Sequence, residues 1–142
     1  MTVRAVSDVN VFISSIIAQF GIPRRLWNAW RRGRFMLISS NPIIDTTVTR
    51  LRLPRIAQRY AVTEEQRQIF VTLLRSRATL VTVLPDDVIP VTGDPEDDAV
   101  LATVRVGRAE YLVTGDQGLL DLCEYTGARI VSPRSFLTLF GE

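Results

Sequence analysis

Carboxylates stand at the points where this chain stops being apolar and turns. Asp8 follows the run Val3–Ser7, and Asp116 follows Tyr111–Thr114. Between them Asp94-Pro95-Glu96-Asp97-Asp98 puts four acids in five residues. Carboxylates gathered at one place repel one another unless protons or a cation offset the charge. Three or four oxygens of this kind suit Mg²⁺ or Mn²⁺, which prefer oxygen ligands and keep several waters. A metal held in that way can activate water and neutralise charge at a phosphodiester. On spacing alone, Asp8 and Asp116 admit two roles, ligand or helix N-cap. Asp94, followed by Pro95, reads first as a cap. Asp98 lies in a first helical turn and faces the top of a sheet if Val100 and Leu101 are buried.

Other chemistries are excluded by composition. The 142 residues contain no His, and all 17 basic residues are Arg. Imidazole bases, His-ligated zinc, a Walker lysine and Schiff-base chemistry therefore have no residue to carry them. Cys123 is the single cysteine, so it forms no internal disulfide and reads as an inert, partly buried side chain. Net charge is only +2, and 46% of residues are apolar. That composition fits one globular domain over residues 1–142. No run approaches the ~20 apolar residues of a membrane span, and no secretory pattern opens the chain. A cytoplasmic protein is the expectation.

The elements that must position these acids alternate. Strands are expected at Val3–Ser7, Phe35–Ile38, Thr79–Leu84, Tyr111–Thr114 and Arg129–Val131. Helices are expected over Val11–Ala18, Arg24–Arg32, Asn41 to about Leu53, a T-x-x-Q capping box at Thr63–Gln66 running to about Arg75, Pro95 to about Gly107, Gln117–Glu124, and after Ser132-Pro133. Alternation of this kind implies a three-layer α/β/α domain with a mostly parallel central sheet of about five strands. Ligands of such sheets bind beyond the carboxyl ends of the strands, where Asp8, Ser40 and Asp116 fall.

Ser7–Ser14, Gly93–Ala102, Tyr111–Asp116 and Ile130–Pro133, in that order, resemble the PIN domain family. Ser7-Asp8-Val9-Asn10-Val11-Phe12-Ile13-Ser14 is similar to its D-[TV]-N-[VI] opening. Gly93-Asp94-Pro95-Glu96-Asp97-Asp98-Ala99-Val100-Leu101-Ala102 resembles D-P-x-D-[DN]-x-x-[LI]-A. Tyr111-Leu112-Val113-Thr114-Gly115-Asp116 resembles Y-L-V-T-x-D, and Ile130-Val131-Ser132-Pro133 resembles the closing I-[LV]-[ST]-P. The blocks together are similar to VapC-like toxin components. The resemblance implies an Mg²⁺- or Mn²⁺-dependent endoribonuclease, the toxin of a toxin–antitoxin pair. Carried over, Asp8, Asp98 and Asp116 match the metal-binding, catalytic acids. Asp97 is the nearest rival to Asp98, and Asp94 is a further neighbour. Asn10 matches a residue arranging the first acid's loop, and Thr114 a hydroxyl near the metal water. RNA is the implied substrate, a cognate antitoxin the implied protein partner, and a homodimer the implied assembly.

One position departs from the pattern. The family carries a Glu in the helix after Ser40, and counting from Ser40 or back from Pro54 puts Thr46 there. Asp45 is one residue off, ~100° around the helix. A degenerate domain that binds RNA or a protein without cleavage is therefore the alternative function. Aspartyl-phosphate chemistry of the receiver or haloacid-dehalogenase kind also needs Asp after the first strand, but it requires a Lys this chain lacks. Trp27 and Trp30, at i and i+3, read as core, and with Leu73–Leu74 they offer more apolar surface than one small core needs. Arg24, Arg25, Arg31, Arg32 and Arg34 form either a solvated face or a phosphate track.

Overall fold

The computed structural model describes residues 2–141. Strand β1 (Arg4–Ser7) leads through α1 (Val9–Ile17) and α2 (Ile22–Arg31) to β2 (Met36–Ser39). Helices α3 (Asn41–Leu51), α4 (Pro54–Ala57) and α5 (Glu64–Arg77) then lead to β3 (Thr79–Leu80). After a 3-10 turn at Pro85–Asp87 come α6 (Pro95–Val106), β4 (Tyr111–Val113), α7 (Gln117–Leu120), β5 (Glu124–Tyr125), β6 (Ala128–Val131) and α8 (Pro133–Thr138).

The sheet has six strands in the order β3-β2-β1-β4-β6-β5, one more than expected. Every pairing is parallel except β5 with β6. From β1 the chain moves outward to β2 and β3, then returns across β1 to β4 and β6. Right-handed crossovers in opposite directions place the two sets of helices on opposite faces, which gives the three layers. The strand order reverses between β1 and β4, and that is the switch point where such sheets bind ligands.

Buried apolar side chains from both directions fill one cluster. Val6, Ile38 and Leu112 come from adjacent strands, and Ile44, Leu51, Leu74 and Leu101 from helices. Each contributes about 1.5–3 kcal/mol on burial. Trp30 is buried and Trp27 half-buried, packed edge-on at 5.0 Å, with Phe70 stacked on Trp27 at 6.1 Å. Leu74 is also buried and Leu73 half-buried. Trp30 belongs to the core and Trp27 packs against it, while half-buried Trp27 and Leu73 also line a surface groove with Ile69. The Thr63 capping box forms: the Gln66 N–H donates to Thr63 Oγ1 (3.1 Å) and the Thr63 N–H to Gln66 Oε1 (2.9 Å).

Three local expectations are corrected. The strand read over Thr79–Leu84 pairs only at Thr79–Leu80, because its partner β2 ends at Ser39 and the chain there turns into α3. The helix read over Gln117–Glu124 stops at Leu120. Cys123 takes a left-handed φ of 62°, and a tight turn with Thr126 at φ 48° and Gly127 at φ 88° joins the β5–β6 hairpin. Cys123 is exposed rather than partly buried.

Candidate functional site

The acids reach the switch point because each begins a helix there. Asp8 caps α1, its Oδ1 accepting from the Val11 N–H at 2.9 Å. Asp116 caps α7, its Oδ2 accepting from the Leu119 N–H at 2.9 Å. Asp94 caps α6, its Oδ1 accepting from the Glu96 N–H at 2.9 Å. Cap and cleft acid are thus compatible roles: capping holds the carboxylate at the strand end while its helix dipole favours the negative charge. Buried Thr114 ties two of them together. Its hydroxyl donates to Asp8 Oδ2 and accepts from the Asp116 N–H at 3.0 Å.

Asp8, Asp94 and Asp116 line a cleft of about 90 Å³ with Val9, Asn10, Arg50, Glu96, Asp97 and Val100. Its side chains carry five carboxylates, of Asp8, Asp94, Glu96, Asp97 and Asp116, against one cation, Arg50. Asp98 does not share it. Val100 and Leu101 are buried as the sequence reading required, and so is Asp98. Its Oδ1, however, accepts from the Val91 N–H (3.1 Å), the Thr92 N–H (2.9 Å) and the Thr92 hydroxyl (2.9 Å). The segment ahead of α6 folds back over the first turn and takes that carboxylate. Asp97, one residue earlier and about 100° around the helix, faces the cleft instead.

The electrostatics separate the two neighbours. Donation from Thr92 N–H holds Asp98 below the ordinary carboxylate value, against the opposing effect of burial. Partial burial first, then the facing charges of Asp94, Asp116, Asp8 and Asp98, push Asp97 up to about 6. Burial also raises Asp8, with a smaller push from Asp116, while Thr114, Val11 and Arg50 pull it down.

The other expected positions fall outside the cleft or at its rim. Asp45 is exposed and Thr46 half-buried on α3, and neither lines the cleft. Asn10 stands at the rim, accepting from Arg50 Nη1 at 3.0 Å. The basic cluster on and just after α2 does not line the cleft: Arg24 donates to the Ser15 carbonyl (3.0 Å) and Arg34 to the Phe140 carbonyl (2.9 Å). Arg50 escaped the sequence reading, and its partner Glu96 was counted there only as one of a run of acids. The available signal was that Arg50 lies four residues after Thr46 and so shares its side of α3.

The PIN domain family model matches residues 4–118, which include Asp8, Asp97, Asp98, Thr114 and Asp116. The chain belongs to the PIN domain family. PIN domains are generally nucleases and generally use divalent metals. Among solved structures, PAE2754 from Pyrobaculum aerophilum superposes with a TM-score of 0.61 at 16% identity, over 98% of this chain and 90% of that one. That likeness is one of fold. A comparison with curated proteins finds no match. Among the described residues, no helix is long and apolar enough to cross a membrane.

The donor set of this PIN cleft fits a hard divalent cation in kind, being all oxygen, with Asp8 and Asp97 both raised by burial and by facing carboxylates. Among the described residues no three acidic, His or Cys side chains stand close enough to share one ion as placed, so holding it requires the side chains to draw inward. A pH dependence follows from Asp97. Its folded value of about 6 lies above the ordinary 3.8, so the unfolded chain ionises first. Relative to Asp97→Asn, the metal-free protein should lose stability as pH rises from about 4 to about 6, then level off. Mn²⁺ affinity should run the other way, falling below about pH 6 as protons compete. Thermal melts across pH, with and without Mn²⁺, read both trends.

Proposed function

We propose that this PIN domain is an Mg²⁺- or Mn²⁺-dependent endoribonuclease, acting as the toxin of a toxin–antitoxin pair. The observation that carries the reading is the placement of Asp8, Asp97 and Asp116 in one cleft at the switch point of the sheet. Asp8, Asp97 and Asp116 would hold the metal, with Asp94 beside them. When bound, the cation supplies an acidified water and neutralises charge at the scissile phosphodiester. The chain's own residues orient the reaction. Thr114 fixes Asp8 and the Asp116 loop, and the α1 and α6 caps hold the Asp8 and Asp94 carboxylates in the cleft lining. Asp98 acts one step removed, holding the Val91–Thr92 segment against α6.

The direct test is cleavage of single-stranded and structured RNA with Mn²⁺, Mg²⁺ or EDTA. Metal-dependent products bearing 5′-phosphates are expected, with Mn²⁺ the better ion because it binds more strongly and tolerates looser geometry. Asp45→Asn should leave the rate within about twofold, since surface substitutions away from a site change little. Thr46→Glu should tighten Mn²⁺ binding several-fold by adding a carboxylate on the side of α3 that carries Arg50. Loss of activity in Asp45→Asn would return Asp45 to the ligand set.

A second reading, a PIN domain that binds RNA or a protein without cutting, has its own support. Three acids do not converge as placed, and α3 brings Arg50 rather than an acid into the cleft. Absence of cleavage with either metal, alongside measurable RNA binding, would favour it. A homodimer belongs to the leading proposal. Light scattering should then give about twice the 16.0 kDa chain mass, and a value at one chain mass across micromolar concentrations would refute it.

A further inference from the structure

We infer that Arg50 is the phosphate-binding side chain of this cleft, an assignment that rests on the nuclease reading above. Helix α3 carries its guanidinium across to the N-termini of α1 and α6, where Nη1 donates to Asn10 Oδ1 at 3.0 Å and Nη2 pairs with Glu96. A phosphodiester entering a cleft lined by five carboxylates is repelled by all of them. Arg50 is the one cation among the lining residues, so it is the protein group there that attracts the strand. A guanidinium presents its donors in a planar fork that matches two phosphate oxygens, and it stays charged at any working pH.

Its present partner does not hold it strongly. The Arg50 and Glu96 side chains are 30% and 43% exposed, and ion pairs this wet contribute little to stability. Exchanging the Glu96 carboxylate for a non-bridging phosphate oxygen therefore costs little, and it leaves Asn10 as a guide on the other edge of the guanidinium. In the free protein Glu96 parks Arg50 at the rim, beside Asp8. With RNA bound, Arg50 faces the strand.

The rival account makes the pair a strut that ties α3 to α6. The two separate in a salt titration of RNA binding, read by anisotropy of a labelled single-stranded RNA oligonucleotide in EDTA, where no metal contributes. Arg50→Gln should weaken binding several-fold and lower the slope of log K against log salt by about 0.7, the value of one phosphate contact on a single strand. Arg50→Lys should keep the slope and lose part of the affinity. Glu96→Gln should bind as well as wild type or tighter, because it removes a negative charge and releases the guanidinium. A strut predicts the opposite pattern: Arg50→Gln and Glu96→Gln move together, in melting temperature, and neither changes the salt slope. That result would overturn the inference, and Arg50→Gln is expected to fold, because the side chain is 30% exposed and loses only a wet ion pair. A wild type that cleaves RNA while Arg50→Gln binds it unchanged would sink the inference alone. A wild type that neither binds RNA in EDTA nor binds or cleaves it with Mn²⁺ would remove the nuclease reading as well.

Discussion

Asp8→Asn should lower metal-dependent RNA cleavage on the order of 100-fold or more while leaving the metal-free fold intact or firmer. The loss follows from position. Asp8 is buried at the end of β1, beside the switch point, and its carboxylate is oriented at both oxygens, by the Val11 N–H and the Thr114 hydroxyl. Asparagine keeps the cap, since its carbonyl oxygen accepts from Val11 as well as a carboxylate does. Its amide then donates to the Thr114 hydroxyl, which has lone pairs to accept. What disappears is the charge. Burial holds Asp8 above its ordinary value, so ionisation opposes folding at neutral pH, and this penalty is present above the folded value and absent below about 4. The variant should therefore gain most over wild type near pH 7 and least near pH 4. Melting curves at both pH values, set beside cleavage rates, test the two halves separately. Full activity in Asp8→Asn would end the metal reading, and a clear loss of apo stability at pH 7 would show that the charged cap and the Thr114 bond outweigh desolvation.

The second large effect is a division of labour between adjacent residues. Asp97→Asn should abolish Mn²⁺ binding and cleavage with little change in melting temperature at pH 4, because Asp97 faces the cleft beside Asp8 and Asp116 and is only half-buried. Asp98→Ala should do the reverse. It strips three donors, two from the backbone and one from Thr92, of a charged acceptor. A cost of about 3 kcal/mol is reasonable for such a set, or roughly 10 °C in melting temperature for a domain of this length. Metal binding should survive wherever the variant is folded. Calorimetric Mn²⁺ titration and thermal melts on both variants distinguish this from the opposite assignment, in which Asp98→Ala loses the metal and Asp97→Asn does not.

The amino-acid sequence by itself determined a good deal of this protein. Apolar runs with alternating caps dictated a parallel α/β sheet, because a strand buried on both faces needs continuous Val, Ile and Leu, and a helix start needs Asp, Ser or Thr with Pro behind it. The same local rules put Asp8, Asp94 and Asp116 at helix starts, and absence of His and Lys left carboxylates, hydroxyls and Arg to carry the chemistry. Periodicity could not decide which of two adjacent acids on α6 faces the cleft. The condition for Asp98 to face the sheet top, burial of Val100 and Leu101, is met, yet its carboxylate is taken by N–H groups of Val91 and Thr92, whose return over the helix no local pattern records. The length of β3 was also a tertiary matter: Val81–Leu84 has strand composition but no neighbour beyond Ser39 to bond. Arg50 entered the cleft for the same kind of reason. Its partners Asn10 and Glu96 lie 40 and 46 residues away in the chain, and only the docking of α3 against α1 and α6 brings three such distant side chains within hydrogen-bonding reach.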